Sequence, residues 1–142
     1  MYHHILHATD LSETHFDLCE QALALSKKFN ACLYLIHVIE APTSLQLAQG
    51  LGFAEIEIPE KEDAEVVMKV LGDALHLPQK QLFVETGSIK QRVLEKLTVL
   101  NGDLLVIGSH HRPHDLSRFL GSTARSLVEH AQSDVLTLRT QR

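Results

Sequence analysis

Five short apolar runs divide the chain, and longer stretches with helical spacing lie between them. The runs occupy residues 5–9, 32–39, 82–84, 103–107 and 135–138. Because they are apolar almost without alternation, they are typical of strands that helices cover on both faces of a sheet. Between the runs, apolar residues recur every three or four positions, as on the buried face of a helix. These helical sets begin at Leu18, Ala64, Ile89 and Ala124.

The alternation of strands and helices predicts the fold class. Strands separated by helices indicate parallel pairing through right-handed crossovers. We therefore predict an α/β protein with a doubly wound five-stranded parallel sheet and helices on both faces. With 142 residues, the chain is expected to form a single domain over residues 1–142. Residues 41–60 carry no clear pattern and are predicted to form a loop with one helical turn.

Polar residues mark the predicted ends of the helices. Thr14, with Asp17 three positions later, is predicted to cap the first helix. Ser88 is predicted to cap the helix that begins at residue 89 in the same way. Asn30 is a suitable end for the first helix because asparagine tolerates the left-handed conformation.

The stretch 103–134 has the layout of an anion-binding element. An apolar run ends at Gly108, a histidine-rich loop follows, and Gly121 with Ser122 opens the last helix. A helix start offers unpaired N–H groups and the positive end of the helix dipole. In a doubly wound sheet, ligands lie at the carboxyl ends of the strands, where Asp10 and Val38 also fall. We therefore expect the binding site at this end of the sheet.

Three blocks of the sequence carry a family resemblance that extends over nearly the whole chain. They are HILHATDLS at 4–12, LYLIHV at 33–38 and VIGSHHRPHDLSRFLGSTARSLVEHAQSDVLTLR at 106–139. Together they resemble the universal stress protein family. Nucleotide-binding members carry G-x2-G-x9-G-[ST] in the last block, and here Gly108, Gly121 and Ser122 fit that spacing. His111 occupies the second glycine position.

The resemblance implies an adenine nucleotide alpha hydrolase-like fold and roles for individual residues. Asp10 would meet the ribose, and the backbone of Val38 would contact the adenine. The residues implied around the phosphates are Gly108, Gly121, Ser122 and Thr123. Ala8, Thr9 and His111 complete the predicted nucleotide site. ATP or another adenine nucleotide is the implied ligand, with Mg²⁺ entering only with the nucleotide.

The histidine at position 111 leaves the function open between alternatives. A glycine there provides positive φ or space for a phosphate, and histidine suits neither purpose. The chain thus stands between ATP-binding members and the universal stress protein A type, which is not thought to bind ATP. One alternative is a stress-response module that senses an adenine nucleotide. The others are a nucleotide-free protein-interaction module and a weak ATPase.

The sequence contains little evidence for a catalytic motif or a metal-binding motif. Because the sequence contains no G-x-S-x-G or H-E-x-x-H motif, we do not predict a dedicated enzyme. His110, His111 and His114 could together attract a transition metal. A loop gives them no fixed ligand geometry, however, so a solvated polar loop is the preferred interpretation and no metal site is predicted.

The last strand, Val135 to Leu138, is the expected contact between subunits. The resemblance implies homodimers formed through it, and an unpaired edge strand is a template for pairing. A regulatory protein partner, not identified by the sequence, is also expected.

Composition restricts the remaining partners and the compartment. The formal net charge is −5 and no basic cluster stands out, which argues against nucleic acid and membrane surfaces. No run reaches the ~18 apolar residues of a membrane span. The first ten residues lack the features of a signal peptide, so we expect a cytoplasmic protein. Cys19 and Cys32 are expected to be reduced thiols on apolar faces.

Overall fold

A computed structural model describes residues 1–40, 47, 50–52, 59–109 and 121–139. Five parallel strands in that part of the chain form one sheet, in the order β3-β2-β1-β4-β5. Their bounds are β1 His4–Ala8, β2 Cys32–Glu40, β3 Leu82–Gly87, β4 Leu104–Ser109 and β5 Asp134–Arg139. The order reverses between β1 and β4, which places a switch point at the centre of the sheet.

Four α-helices in the described ranges cover the sheet. They are α1 Glu13–Phe29, α2 Pro59–Ala74, α3 Ile89–Val99 and α4 Ser122–His130, and a short 3-10 turn, Gln79–Gln81, precedes β3. Cys19 of α1 and Met68 of α2 belong to the core on one face of the sheet. Val93 of α3 and Leu127 of α4 belong to the core on the other. The predicted doubly wound five-stranded parallel sheet is thus confirmed.

The central strands show why the apolar runs are continuous. Along β1, Ile5 contributes to the core with α1 and α2, whereas Leu6 contributes to the core with α3 and α4. Both side chains have no exposed surface. Because successive side chains of a strand point to opposite faces, a strand covered on both sides buries apolar residues on both of its faces.

The first helix begins earlier than its predicted cap, and the Thr14 prediction is wrong. α1 starts at Glu13, and the side chain of Ser12 accepts a hydrogen bond from the His15 N–H at 3.3 Å. A tight turn explains the shift: Leu11 has φ 63°, and the Ser12 N–H donates to Asp10 Oδ1 at 2.8 Å. The chain therefore enters the helix directly after Ser12.

The other predicted boundaries agree better with the structure. Ser88 caps α3, since its hydroxyl accepts from the Gln91 N–H. Asn30 ends α1 in the left-handed conformation, with φ 52°. Cys19 and Cys32 are not joined by a disulfide, and burial raises the pKa of the Cys19 thiol to about 11. Most of the predicted loop at 41–60 lies outside the described residues.

Within the described ranges, no helix combines the length and the hydropathy required to span a membrane.

Candidate functional site

A cavity of about 420 Å³ opens at the carboxyl end of the sheet, beside the switch point. Its lining comes from strands β1, β2 and β4, from the segments that follow β1 and precede α4, and from helices α1, α3 and α4. Eight of the nine residues predicted from the sequence line this one cavity: Ala8, Thr9, Asp10, Val38, Gly108, Gly121, Ser122 and Thr123. The fold therefore brings together segments that are more than a hundred positions apart in the chain.

Asp10 supplies a carboxylate to the polar side of the cavity. Its Oδ1 accepts from the Ser12 N–H at 2.8 Å, and its Oδ2 lies 3.2 Å from His15 Nε2. The side chain remains 38% exposed. Because Ser12 is the N-cap of α1, Asp10 holds the turn in front of the helix and does not cap it. Its carboxylate stays within reach of a ligand.

Gly108 ends the buried part of β4, and helix α1 explains why it is a glycine. A Cβ atom at this position would lie 2.5 Å from Leu18 Cδ1 and 3.0 Å from His15 Cε1. Both side chains are buried, so neither can move aside without disturbing the core. The missing side chain at position 108 is thus required by internal packing.

Gly121 is the N-cap of α4, and neither packing nor conformation among the described residues requires a glycine there. Its φ is −59°, which any L-residue can adopt, and a Cβ would meet no described atom within 4 Å. No side chain caps the helix at this residue. The Arg125 N–H donates to the Gly121 carbonyl at 2.9 Å. The amides between them are those that an α-helix leaves without an internal partner.

Part of the cavity lining is apolar. Val38 of β2, Ile89 and Val93 of α3, and Leu127 of α4 line it, and Val93 is fully buried. His37 Nδ1 of β2 donates to the Thr9 carbonyl at 2.8 Å and connects β2 to the segment that follows β1. The cavity therefore combines an apolar surface with a carboxylate and a helix start.

Several lining residues were not predicted from the sequence. Ile89 and Val93 carry the same periodic signal as any core residue of α3, so nothing distinguishes them in the sequence. His37 lies within the block LYLIHV, directly before Val38. His15 stands five positions after Asp10, on the first turn of α1, and that placement is a signal from which it could have been found.

His7 of β1 is fully buried and contacts His15 of α1. Its Nδ1 donates to the Val106 carbonyl at 2.9 Å, and its ring stacks on that of His15 with centroids 6.3 Å apart. Burial lowers the pKa of His7 to about 4. Among the described residues, its Nε2 has no hydrogen-bond partner. The ring is therefore neutral near pH 7, with the proton on Nδ1.

Comparison with known proteins establishes the family. The model of the universal stress protein family matches residues 1–139. The chain belongs to the universal stress protein family. Universal stress protein A homolog 1 of Coxiella burnetii is 31% identical over 142 residues, which cover 96% of each chain. Homolog 2 of the same organism is 33% identical over 123 residues, covering 86% of this chain and 84% of the relative.

A solved structure of the same family supports the fold. The crystal structure of a universal stress protein in complex with cAMP has a TM-score of 0.71 to this chain at 17% identity. The match covers 99% of this chain and 98% of the other. Because the sequence identity is so low, this comparison shows that the two proteins share a fold and shows nothing beyond the fold.

The two described glycines of the universal stress protein motif serve different purposes here. Gly108 makes room for α1, whereas Gly121 leaves room on the cavity side. His111, at the second glycine position, lies outside the described residues, as do His110 and His114. In the part of the chain that is described, no three His, Cys, Asp or Glu side chains are grouped as metal ligands.

Proposed function

We propose that this universal stress protein binds an adenine nucleotide in the cavity at the switch point. The start of α4 is the observation that carries the proposal. Gly121 lacks a side chain where the described packing leaves open space, and it precedes amides at a helix start without a side-chain cap. A phosphate group uses that combination, since it accepts from helix N-terminal amides and needs close backbone approach.

The remaining lining suits the other parts of such a ligand. The apolar surface from Val38, Ile89 and Val93 can take the flat face of adenine, and Asp10 can accept hydrogen bonds from ribose hydroxyls. A volume of about 420 Å³ is in the range of small-molecule sites. A universal stress protein of the same fold has been solved in complex with cAMP, which also favours an adenine nucleotide. Mg²⁺ would enter only with the nucleotide phosphates.

The proposed role is regulatory and not metabolic. Occupancy of the cavity would stabilise one conformation of the segments that meet there, and a protein partner would respond to that conformation. The nucleotide is then a signal and not a substrate.

We also propose that two copies pair through β5. This strand forms one edge of the sheet, and its four central residues, 135–138, carry no charge. The opposite edge, β3, carries charged groups. Lys96 Nζ of α3 lies 3.0 Å from the carboxylate of Glu85 in β3 and 4.1 Å from the centre of the Phe83 ring. Charged side chains discourage pairing between edge strands, so β5 is the better-suited edge.

Calorimetry and thermal unfolding with AMP, ADP, ATP and cAMP test the nucleotide proposal, with GMP as the comparison. A ligand at a hundred times its Kd should stabilise the protein by about 2.7 kcal/mol. Gly121→Val should abolish that stabilisation because its side chain enters the cavity. Val128→Ala, at an exposed position of the same helix, should retain it. If millimolar adenine nucleotides give neither heat nor stabilisation, the proposal is wrong and the nucleotide-free alternative stands.

A further inference from the structure

His15 connects the predicted ribose contact to the protein interior. It lies on the first turn of α1, lines the cavity and is only 4% exposed. Both nitrogens of its ring lie near Asp10. The Asp10 N–H donates to His15 Nδ1 at 3.4 Å, and Nε2 lies 3.2 Å from Asp10 Oδ2. A single imidazole thus meets the backbone and the carboxylate of one residue.

These two contacts determine which nitrogen carries the proton. Nδ1 accepts from a backbone N–H and must present a lone pair. In the neutral ring the proton is then on Nε2, the nitrogen nearest the Asp10 carboxylate. The charges of the pair are consistent, because the Nε2 proton lies in electrostatic contact with the Asp10 carboxylate and the Nδ1 lone pair accepts from the Asp10 N–H.

The surroundings of His15 prevent the ring from turning away. The space left by the missing side chain of Gly108 is taken up by Leu18 and by the imidazole edge of His15. On another side the ring stacks against His7, which is anchored by its bond to Val106. His15 therefore spans the ends of β1 and β4, on the two sides of the switch point. A ring held in this way fixes the position of whatever it contacts.

We infer that His15 is a positioning residue for nucleotide binding, which holds the Asp10 carboxylate in place to accept the ribose hydroxyls. The inference rests on the proposed nucleotide site. Asp10 is 38% exposed and directly precedes Leu11, whose φ of 63° is strained for a leucine, so the Asp10 side chain needs such support. Ser12 restrains Oδ1 through its backbone, and His15 restrains Oδ2.

Paired ligands separate positioning from general damage to the site. Affinity is measured by calorimetry for AMP and for its 2′,3′-dideoxy analogue, which lacks the ribose hydroxyls. His15→Leu should weaken AMP binding about tenfold and leave the dideoxy analogue within about twofold of the wild type. His15→Gln should recover most of the loss, because its amide can place an N–H near the Asp10 carboxylate.

A double-mutant cycle connects the effect to Asp10. In the Asp10→Ala background, His15→Leu should change AMP affinity by less than about twofold, since the group that it positions is gone. An equal loss for both ligands, or an undiminished loss in that background, would overturn the inference and leave the proposed site intact. If the wild-type protein binds neither ligand, the proposed function is wrong, and the proposed role of Asp10 and His15 at the ribose is wrong as well.

The ligand-free protein provides an independent test that does not need binding. Long-range ¹⁵N–¹H spectra recorded at pH 8 should show the His15 proton on Nε2 and the His7 proton on Nδ1. Asp10→Asn should move the His15 ring resonances and leave those of His130, on α4, unchanged. A His15 proton on Nδ1 would contradict the arrangement from which the inference is drawn.

Discussion

At the scale of single residues, the two described glycines of the family motif, Gly108 and Gly121, have different functions. Position 108 is filled from the protein side, by Leu18 and His15, whereas position 121 has open space among the described residues. In the sequence, both positions are simply glycines at the spacing of the family motif. Only the positions of α1 and α4 relative to β4 reveal that the first glycine serves packing and the second leaves room on the cavity side.

Gly108→Ala should therefore destabilise the protein more than Gly121→Ala. The added methyl group at 108 must displace a buried leucine and a buried ring, which costs about 1–3 kcal/mol. At 121 the same change should cost less than about 1 kcal/mol. Urea unfolding of both variants measures the difference. Equal losses would show that the packing around Gly108 is not as described.

His7 should make stability depend on pH. Its pKa is about 4 in the folded protein and near 6.5 in the unfolded chain, so the unfolded chain binds more protons between these values. The free energy of unfolding is therefore highest above pH 6.5, where neither state binds this proton. It decreases as the pH falls towards 4, by about 2 kcal/mol at pH 5.

The variant His7→Asn isolates this effect, since its amide nitrogen takes the place of Nδ1 and can donate to the Val106 carbonyl but does not titrate. Urea unfolding at pH 7.5 and at pH 5 should show a smaller loss for this variant than for the wild type. The same loss in both proteins would mean that His7 is not the group responsible.

At the scale of elements, the start of α1 matters most because it places both Asp10 and His15. Ser12→Ala should lower the free energy of unfolding by about 1 kcal/mol, since the helix loses its N-cap. Ser12→Asp should keep most of the stability, because an aspartate side chain can also cap the helix. Thr14→Ala, inside the helix, should change stability by only a few tenths of a kcal/mol. A larger effect at Thr14 than at Ser12 would restore the cap that the sequence indicated.

The sequence predicts these elements well where burial alone decides them. In the described part of the chain, the five strands follow from continuous apolar runs and the four helices from apolar periodicity, because the two cores select apolar residues at the positions that face them. β3 is longer than predicted, since it continues through Glu85 and Thr86 to Gly87. An edge strand tolerates polar residues, so an apolar run ends before the strand does. The turn at Leu11 was also missed, because leucine with positive φ has no sequence signal.

At the scale of the whole molecule, the difference between the two sheet edges predicts how copies associate. Thr137→Lys places a charge in the middle of β5 and should weaken a dimer formed there at least about tenfold. Thr98→Lys, the same change at an exposed position of α3, should have no effect. Sedimentation velocity over a range of concentrations measures both. A dimer that is unaffected by Thr137→Lys would require another interface.

The location of the candidate site was predictable, and its inner support was not. Asp10, Val38 and Gly108 follow strand ends, and parallel strands bring such ends together. The contacts of His15 depend on how α1 crosses the sheet and on the space that Gly108 leaves. Such contacts arise from tertiary packing and leave no periodic pattern in the chain.

Chemical-shift mapping tests the central claim most directly. AMP is titrated into ¹⁵N-labelled protein, and the backbone amide resonances are followed. The account predicts the largest changes at Gly121, Ser122, Gly108 and Val38, which line the cavity. Asp103, at the opposite end of the sheet, should not respond. No change at millimolar AMP, or changes centred away from the cavity, would contradict the account.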